Sequence, residues 1–456
     1  MKHTIFTLTS CIWLSIQSLS ATTYNENSDL NNPVSVIDSS LKSIQNPDFD
    51  NLSIDKSLVS SANNLQLSLS INDPKPTDTK TPPAKKAWYD NIQFRGYTQV
   101  RYNRLLETNP LLKCEQCDRS IGEDGGFAIR RLRLIWFGQI HPRVYMYIQP
   151  DFASSLSSSL AGNVAQVRDA YFDIGLNKTN TYRIRVGQSK VPFGFENMQS
   201  SQNRLNLDRS DAINSALSNE RDMGAFFYWA PEKTRKLFSS LVNDGLKGSG
   251  DYGVFGFGLY NGQLANQPEA NDNRHWVARL TFPFQMGSQI IEPGIQMYSG
   301  LYTLNAANLT KNVKVKSDLT YLDERKAASL ILYPKPFGIS AEYNTGFGPQ
   351  YNPTTDSIET QKLNGGYVLV NWKMEVKNTT LIPFARYNYY NGGKKMERDA
   401  RGYLVKELEF GAEWQAAKNL EIVVAYNMAD RTTRDKTNQN NQQKGNFLRI
   451  QVQVNY

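Results

Sequence analysis

In the stretch "FLRIQVQVNY", residues 447–456, apolar and polar side chains alternate strictly from Leu448 to Tyr456. Successive side chains of a β-strand point to opposite faces, so this segment would have one apolar face and one polar face. The pattern fits a strand of a soluble sandwich. It also fits a strand of a membrane barrel, whose outer face meets lipid and whose inner face meets water. The apolar face holds Leu448, Ile450, Val452, Val454 and Tyr456.

Similar alternating segments recur along the chain from Ile92 onward. There are about sixteen, and an even number is typical of bacterial outer-membrane barrels. Short turns, such as 141–142, alternate with long polar loops, such as 261–273, and 232–251 is one long exception on the short-turn side. The sequence therefore predicts an all-β transmembrane antiparallel β-barrel with long external loops and short periplasmic turns. The predicted strands are 92–103, 127–140, 143–152, 166–176, 181–188, 222–230, 252–260, 274–284, 289–302, 318–333, 336–347, 363–374, 379–390, 403–416, 419–430 and 445–456.

Four tryptophans support the barrel over the sandwich. They lie near the ends of alternate segments, just before short connections, at Trp136, Trp229, Trp372 and Trp414. In a barrel these positions share one height, as an aromatic girdle at a membrane interface does. We expect Tyr456 to lie at the same interface, where the last strand closes the barrel against the first.

The first 87 residues are predicted to lie outside the barrel. Lys2 and His3 precede a mostly apolar stretch, 5–19, which small residues follow, in the order of a secretory signal peptide. The Pro/Lys/Thr tract at 73–86 is typical of an unpacked linker. We expect export to the bacterial outer membrane, with a signal peptide at 1–21, a disordered or extended periplasmic linker at 22–87 and the barrel at 88–456.

The composition restricts the classes of function that we expect for this chain. The chain has 456 residues and a formal net charge of +8. Beyond residue 87 the chain has 44 basic and 35 acidic residues, and such an excess attracts anions. With only three His and three Cys, no catalytic group, metal site or cofactor is predicted, and nucleic acid is not an expected partner of an exported chain. Cys114 and Cys117 are expected to form a local disulfide.

Alternation also assigns side chains to the lumen. Arginine suits contact with anions because its guanidinium stays charged and presents a planar fork of donors. Acidic side chains on the same face predict a lumen with one basic and one acidic wall, and hence a moderate anion preference. The basic set is Arg95, Arg101, Arg131, Arg133, Arg183, Arg185 and Arg279, and the acidic set is Asp169, Asp173, Glu407 and Glu409.

The connection at 190–224 is too long for a simple hairpin, and loops of this length are more often functional than idle. Folded inward it would constrict the pore, and folded outward it would form a lid or a contact in a trimer. We expect the inward arrangement. Its basic residues are Lys190, Arg204, Arg209 and Arg221.

Several motifs resemble the phosphate-selective porin O/P family, over roughly 94–456. They are "RRLRLIWFGQI" (130–140), "VGQSKVPFGFE" (186–196), "GLYNGQ" (258–263) and "PFARYNYY" (383–390). The resemblance implies a sixteen-stranded porin, trimeric in outer-membrane lipid, for passive diffusion of small solutes. It further implies that lumen arginines guide phosphate or similar anions and that Lys190 matches a lysine near the constriction. The alternatives are a non-selective general porin or, with less support, an outer-membrane barrel enzyme or an adhesin.

Overall fold

The computed structural model describes residues 87–114, 118, 120–153 and 165–456. The predicted signal peptide lies outside the described residues, as does the predicted linker except for its last residue. The strands are β1 (Ile92–Leu105), β2 (Ala128–His141), β3 (Val144–Asp151), β4 (Gln166–Gly175), β5 (Tyr182–Lys190), β6 (Arg221–Trp229), β7 (Phe255–Tyr260), β8 (His275–Thr281), β9 (Phe284–Met286), β10 (Gln289–Thr303), β11 (Thr320–Leu332), β12 (Phe337–Asn352), β13 (Ser357–Trp372), β14 (Met374–Val376), β15 (Thr379–Gly393), β16 (Gly402–Ala417), β17 (Leu420–Arg434) and β18 (Asn441–Asn455). The α-helices are α1 (Phe195–Met198), α2 (Asp211–Asn214) and α3 (Glu232–Asn243), and the 3-10 helices are Trp88–Asn91, Ala306–Asn308 and Arg398–Ala400.

All of these strands belong to one closed antiparallel sheet. β8 and β9 both pair with β10, and β13 and β14 both pair with β15, so each of these two couples is one interrupted strand. The barrel therefore has sixteen strands, as predicted. β1 pairs with both β2 and β18, which closes the sheet and leaves no edge strand. In lipid only such closure satisfies every backbone donor and acceptor of a sheet.

Side chains alternate across the wall as the sequence predicts. In β18, Gln451 and Gln453 are buried, whereas Val452 and Val454 are 38% and 40% exposed on the outer face. Large outward-facing residues on other strands include Trp136, Trp372 and Trp414. No helix among the described residues is long and apolar enough to cross a membrane.

One predicted loop is a strand pair instead. The sequence predicts a long connection at 348–362, but β12 and β13 stay paired from Phe337↔Trp372 to Asn352↔Ser357 and leave a four-residue turn, 353–356. Apolar and polar residues no longer alternate strictly here. The ladder nevertheless continues, because backbone hydrogen bonds between two strands do not depend on that alternation.

The seam of the barrel depends on a close contact between Gly96 and Tyr456. Their backbones exchange two hydrogen bonds, with N···O distances of 2.6 and 3.0 Å. A Cβ placed on Gly96 would lie 2.5 Å from the Tyr456 ring and 2.6 Å from the carbonyl oxygen of Arg133. Only a glycine leaves room for the ring, so this position fixes how closely the first and last strands approach.

We expect Gly96→Val to weaken closure by about 1–3 kcal/mol, the usual cost of overpacking. The purified variant should lose the fast-migrating folded band at a lower temperature than the native protein in gel-shift melting. Gly126→Val is the control, because nothing lies within 4 Å of a Cβ at that position. Equal melting of the two variants would show that the seam does not limit stability.

Candidate functional site

The long connection between β5 and β6 lies inside the barrel. Residues 191–217 are almost all buried, and they include α1 and α2. Backbone groups hold the connection to the wall. The Glu342 carboxylate accepts from the amides of Phe195 (2.6 Å) and Glu196 (2.8 Å), and Arg325 donates to the carbonyl oxygen of Ala212 at 2.8 Å. We name residues 191–220 the inner loop.

Ion pairs also hold the inner loop to the wall. Asp211 pairs with Arg431 at 3.1 Å and with Lys394 at 2.6 Å. Burial opposes ionisation of the Asp211 carboxyl, but these two cations outweigh it and hold its pKa below the usual range. Glu196 pairs with Arg386 at 3.3 Å. The inner loop is thus anchored on β11, β12, β15 and β17, and Asp208 also ties it to Arg101 of β1.

The outer chamber is a cavity of about 780 Å³ beside β2, β3 and β4. Five long loops also contribute to its lining, which places it on the external side. Its walls carry eight cationic and five acidic side chains. The cations are Lys113, Arg130, Arg131, Arg133, Arg168, Arg209, Arg398 and Arg401, and the acids are Asp118, Asp151, Asp208, Glu220 and Glu397.

The inner chamber is a second cavity, of about 390 Å³, on the short-turn side of the inner loop. Its walls come from β1 to β6, two short turns, the inner loop and the segment 235–252. Seven cationic side chains outnumber three acidic ones here as well. The cations are Arg95, Arg143, Arg183, Arg185, Lys190, Arg221 and Arg235, and the acids are Asp169, Asp173 and Asp251.

A second inserted segment lies at the short-turn end of the barrel. It is the long connection 232–251, the exception among the short turns. α3 buries Phe238 and Leu241 in a cluster that also contains Phe195 of the inner loop. Lys247, further along, pairs with Glu413 on β16 at 2.5 Å. Arg235 and Asp251 face the inner chamber. In the sequence, only the length of this connection indicates the insertion.

Most of the predicted basic residues line one of the chambers. Arg131, Arg133 and Arg209 lie on the outer chamber. Arg95, Arg183, Arg185, Lys190 and Arg221 lie on the inner chamber, together with the predicted acids Asp169 and Asp173.

Two predicted pore-lining arginines face the interior but line neither chamber. Arg101 is covered by ion pairs with Asp118 and Asp208, and Arg279 pairs with Glu292 at 3.1 Å. Arg204 of the inner loop is also buried away from both cavities. Alternation gives the face of a strand but not what covers that face, so Arg101 and Arg279 point inward without lining either cavity.

Two of the predicted lumen acids, Glu407 and Glu409, are likewise buried. Glu407 pairs with Arg431 at 2.5 Å, and Glu409 pairs with Arg386 at 2.8 Å. Both arginines also hold acids of the inner loop. These glutamates therefore belong to its anchorage, and neither lines a chamber.

β-bulges supply two arginines that the alternation missed. The pairing of β2 with β1 skips Arg130, and the pairing of β4 with β3 skips Arg168. A bulge inserts an extra residue and re-aims its side chain. Arg130 and Arg131 consequently both line the outer chamber, as Arg168 does. Two adjacent polar residues within an alternating segment were the available signal.

The remaining predictions concern sulfur and metal. Cys114 is disulfide-bonded. Cys117, its predicted partner, lies outside the described residues. In the described part of the chain, no cluster of His, Cys, Asp and Glu has the arrangement of a metal site.

A family model for phosphate-selective porins O and P matches residues 113–456. The chain belongs to this family. As a member of the phosphate-selective porin O and P family, it is a porin of the bacterial outer membrane, and family and fold point to a channel rather than an enzyme. The sequence matches no curated protein.

Three solved structures are similar to this porin at low sequence identity. The outer membrane channel DcaP of Acinetobacter baumannii has a TM-score of 0.49 and 13% identity, over 80% of this chain and 97% of that chain. Salmonella typhi OmpF in complex with daunomycin has a TM-score of 0.49 and 12% identity, over 80% of this chain and 98% of that chain. The outer membrane protein OmpT of Vibrio cholerae has a TM-score of 0.45 and 11% identity, over 80% and 97%.

Asp251 holds two cations at the inner chamber, since it pairs with Arg183 at 2.5 Å and Arg235 at 2.9 Å. Burial opposes its ionisation, but these arginines lower its pKa to about 2. An unperturbed aspartate titrates near 3.9, so the stabilisation from these pairs is complete above about pH 4 and is lost as pH falls through about 2. We therefore expect that titration of Asp251 does not change the channel current between about pH 5 and 8.

Asp251→Asn should leave two arginines without their carboxylate and shift the reversal potential in a KCl gradient toward anions. Asp244→Asn, in the same segment but lining neither chamber, is the matched control. An unchanged reversal potential for Asp251→Asn would contradict the placement of this charge on the conducting path.

Proposed function

We propose that the two chambers form the conducting path and that this path favours small anions, including phosphate, over cations. The observation that carries the proposal is the cationic excess in the lining of both chambers. An anion that enters a narrow pore loses part of its hydration, and fixed guanidinium groups replace part of it. β2 to β5 contribute to this lining, so the cations follow one side of the barrel.

Ion pairs limit the strength of this preference. Arg133 pairs with Asp151 at 2.8 Å, and Arg185 pairs with Asp173 at 2.6 Å. Arg131 differs, since in the described structure its Nη1 donates to the amide oxygen of Gln99 at 2.8 Å. The net field comes from the excess cations alone, which supports a moderate preference for anions as a class.

Lys190 argues against strict phosphate specificity. Its ammonium group donates to two backbone carbonyl oxygens, those of Met198 at 2.8 Å and Gln199 at 2.6 Å. Two of its three donors are thus engaged with the inner loop. The second candidate function is a general porin without ion preference, which the many paired arginines favour.

Arg131→Gln should move the reversal potential toward cations. The shift should be larger near 0.01 M salt than at 1 M, because the screening length falls from about 30 Å to about 3 Å. Lys377→Gln, on an exposed short turn, is the charge-matched control. A native channel that prefers cations would overturn the proposal, and one with no preference would favour the general porin.

We further propose a homotrimer in outer-membrane lipid. Glu324 and Lys326 lie on the outward face of β11, between Leu322 and Leu330, and Lys326 is exposed. A charged side chain that faces hydrocarbon costs up to about 2–4 kcal/mol, depending on depth. Contact with a neighbouring subunit would cover these charges.

Cross-linking of the detergent-solubilised protein should yield a species of three chains. Lys326→Glu should reduce the yield of this species, because the new glutamate and Glu324 would place two negative charges on the same outward face. Lys406→Glu, on the exposed face of β16, is the matched change elsewhere on the barrel. A native protein that cross-links only as a monomer would exclude the trimer.

A further inference from the structure

The inner loop ends in a strained turn just before β6. Asn219 and Glu220 are consecutive non-glycine residues with positive φ, at 66° and 61°. A side chain with a Cβ adopts this backbone region at a cost in free energy, and such strain persists where surrounding contacts enforce it. The contacts of Glu220 are therefore the place to seek a function for the turn.

The Glu220 carboxylate lies within a group of three arginines, which we name the arginine cluster: Arg168, Arg209 and Arg221. It forms close ion pairs with Arg209 and Arg221, and Nη2 of Arg168 lies 3.6 Å away. The three guanidinium groups come from different elements, namely the bulge of β4, the inner loop and the start of β6.

The arginine cluster lies where the two chambers adjoin. Arg168, Arg209 and Glu220 line the outer chamber, while Arg221 lines the inner chamber. Glu220 of the outer lining pairs with Arg221 of the inner lining, so this cluster contacts both cavities. A carboxylate and a phosphate offer similar oxygen acceptors to a guanidinium fork.

Glu220 remains charged in this environment. Burial opposes ionisation, but Arg209, Arg221 and Arg168 outweigh it and hold the Glu220 pKa well below the usual range. Glu220 is only 3% exposed, and its two carboxylate oxygens contact different arginines. Asp169 binds the other edge of the Arg221 guanidinium at 2.8 Å, so Glu220 occupies the position that a bound anion would take between Arg209, Arg168 and Nη1 of Arg221.

We propose that Glu220 is a tethered counter-anion that competes with permeating anions for the arginine cluster and sets how weakly they bind there. This proposal rests on the anion path proposed above. Conduction requires that an ion bind strongly enough to enter and weakly enough to leave. A carboxylate attached to the chain is present at every passage, so it shortens the stay of phosphate without removing the cations that attract it.

Glu220→Gln tests the proposal in planar bilayers that contain the full-length protein. Inorganic phosphate is added to a chloride-conducting channel, and the half-blocking phosphate concentration is measured. We expect it to fall about tenfold relative to the native channel, in line with the strength of a hydrogen bond to a charged group. Glu269→Gln removes the same charge from an outer loop that lines neither chamber, and it should leave the value unchanged.

Glu220→Gly provides a second, independent variant, because glycine adopts positive φ without strain. It should also lower the half-blocking phosphate concentration. If both variants raise the single-channel conductance in KCl while phosphate block stays at the native value, Glu220 is only a structural tie and the proposal is wrong.

Measurements on the native channel distinguish a failure of the role proposed for Glu220 from a failure of the proposed anion path. A native reversal potential without anion preference would reject the proposed function. A native anion preference together with unchanged phosphate block in both Glu220 variants would reject only the role of Glu220.

Discussion

Every other feature of this molecule depends on the closure of one hydrogen-bonded sheet in lipid. A strand edge exposed to hydrocarbon would leave backbone donors and acceptors without partners. The contact of Gly96 with Tyr456 brings the first and last strands together and removes that edge. Closure also creates an interior that lipid cannot reach, and polar side chains can gather there at high density.

The charges of this interior have two separate uses. Acids and bases on the β11–β17 side, such as Glu342, Arg386 and Arg431, hold the inner loop by hydrogen bonds and ion pairs. On the β1–β6 side most of the charges line open space, where cations outnumber acids, although Arg101 of β1 is covered by Asp208 of the inner loop. The inner loop produces this division, because its anchorage neutralises the charges that it covers and leaves the others facing water.

At the junction of the chambers, local irregularities rather than regular strands determine the chemistry. A bulge in β4 brings Arg168 into the lumen, and the positive-φ turn at 219–220 aims a carboxylate at it. Both features depart from ideal strand geometry, and both place an extra charge on the path. Such departures are expected at functional sites, where position matters more than local stability.

The sequence alone determined the barrel, its sixteen strands and the inward direction of Arg131, Arg133, Arg183 and Arg185, because a period of two residues is a local property of a strand. It did not distinguish these arginines from Arg101 and Arg279, which also point inward but lie under ion pairs with distant residues. The sequence also did not reveal the bulges, because a bulge depends on the register between two strands. Only the tertiary structure decided which inward charges meet open space, because coverage is set by segments far apart in the chain.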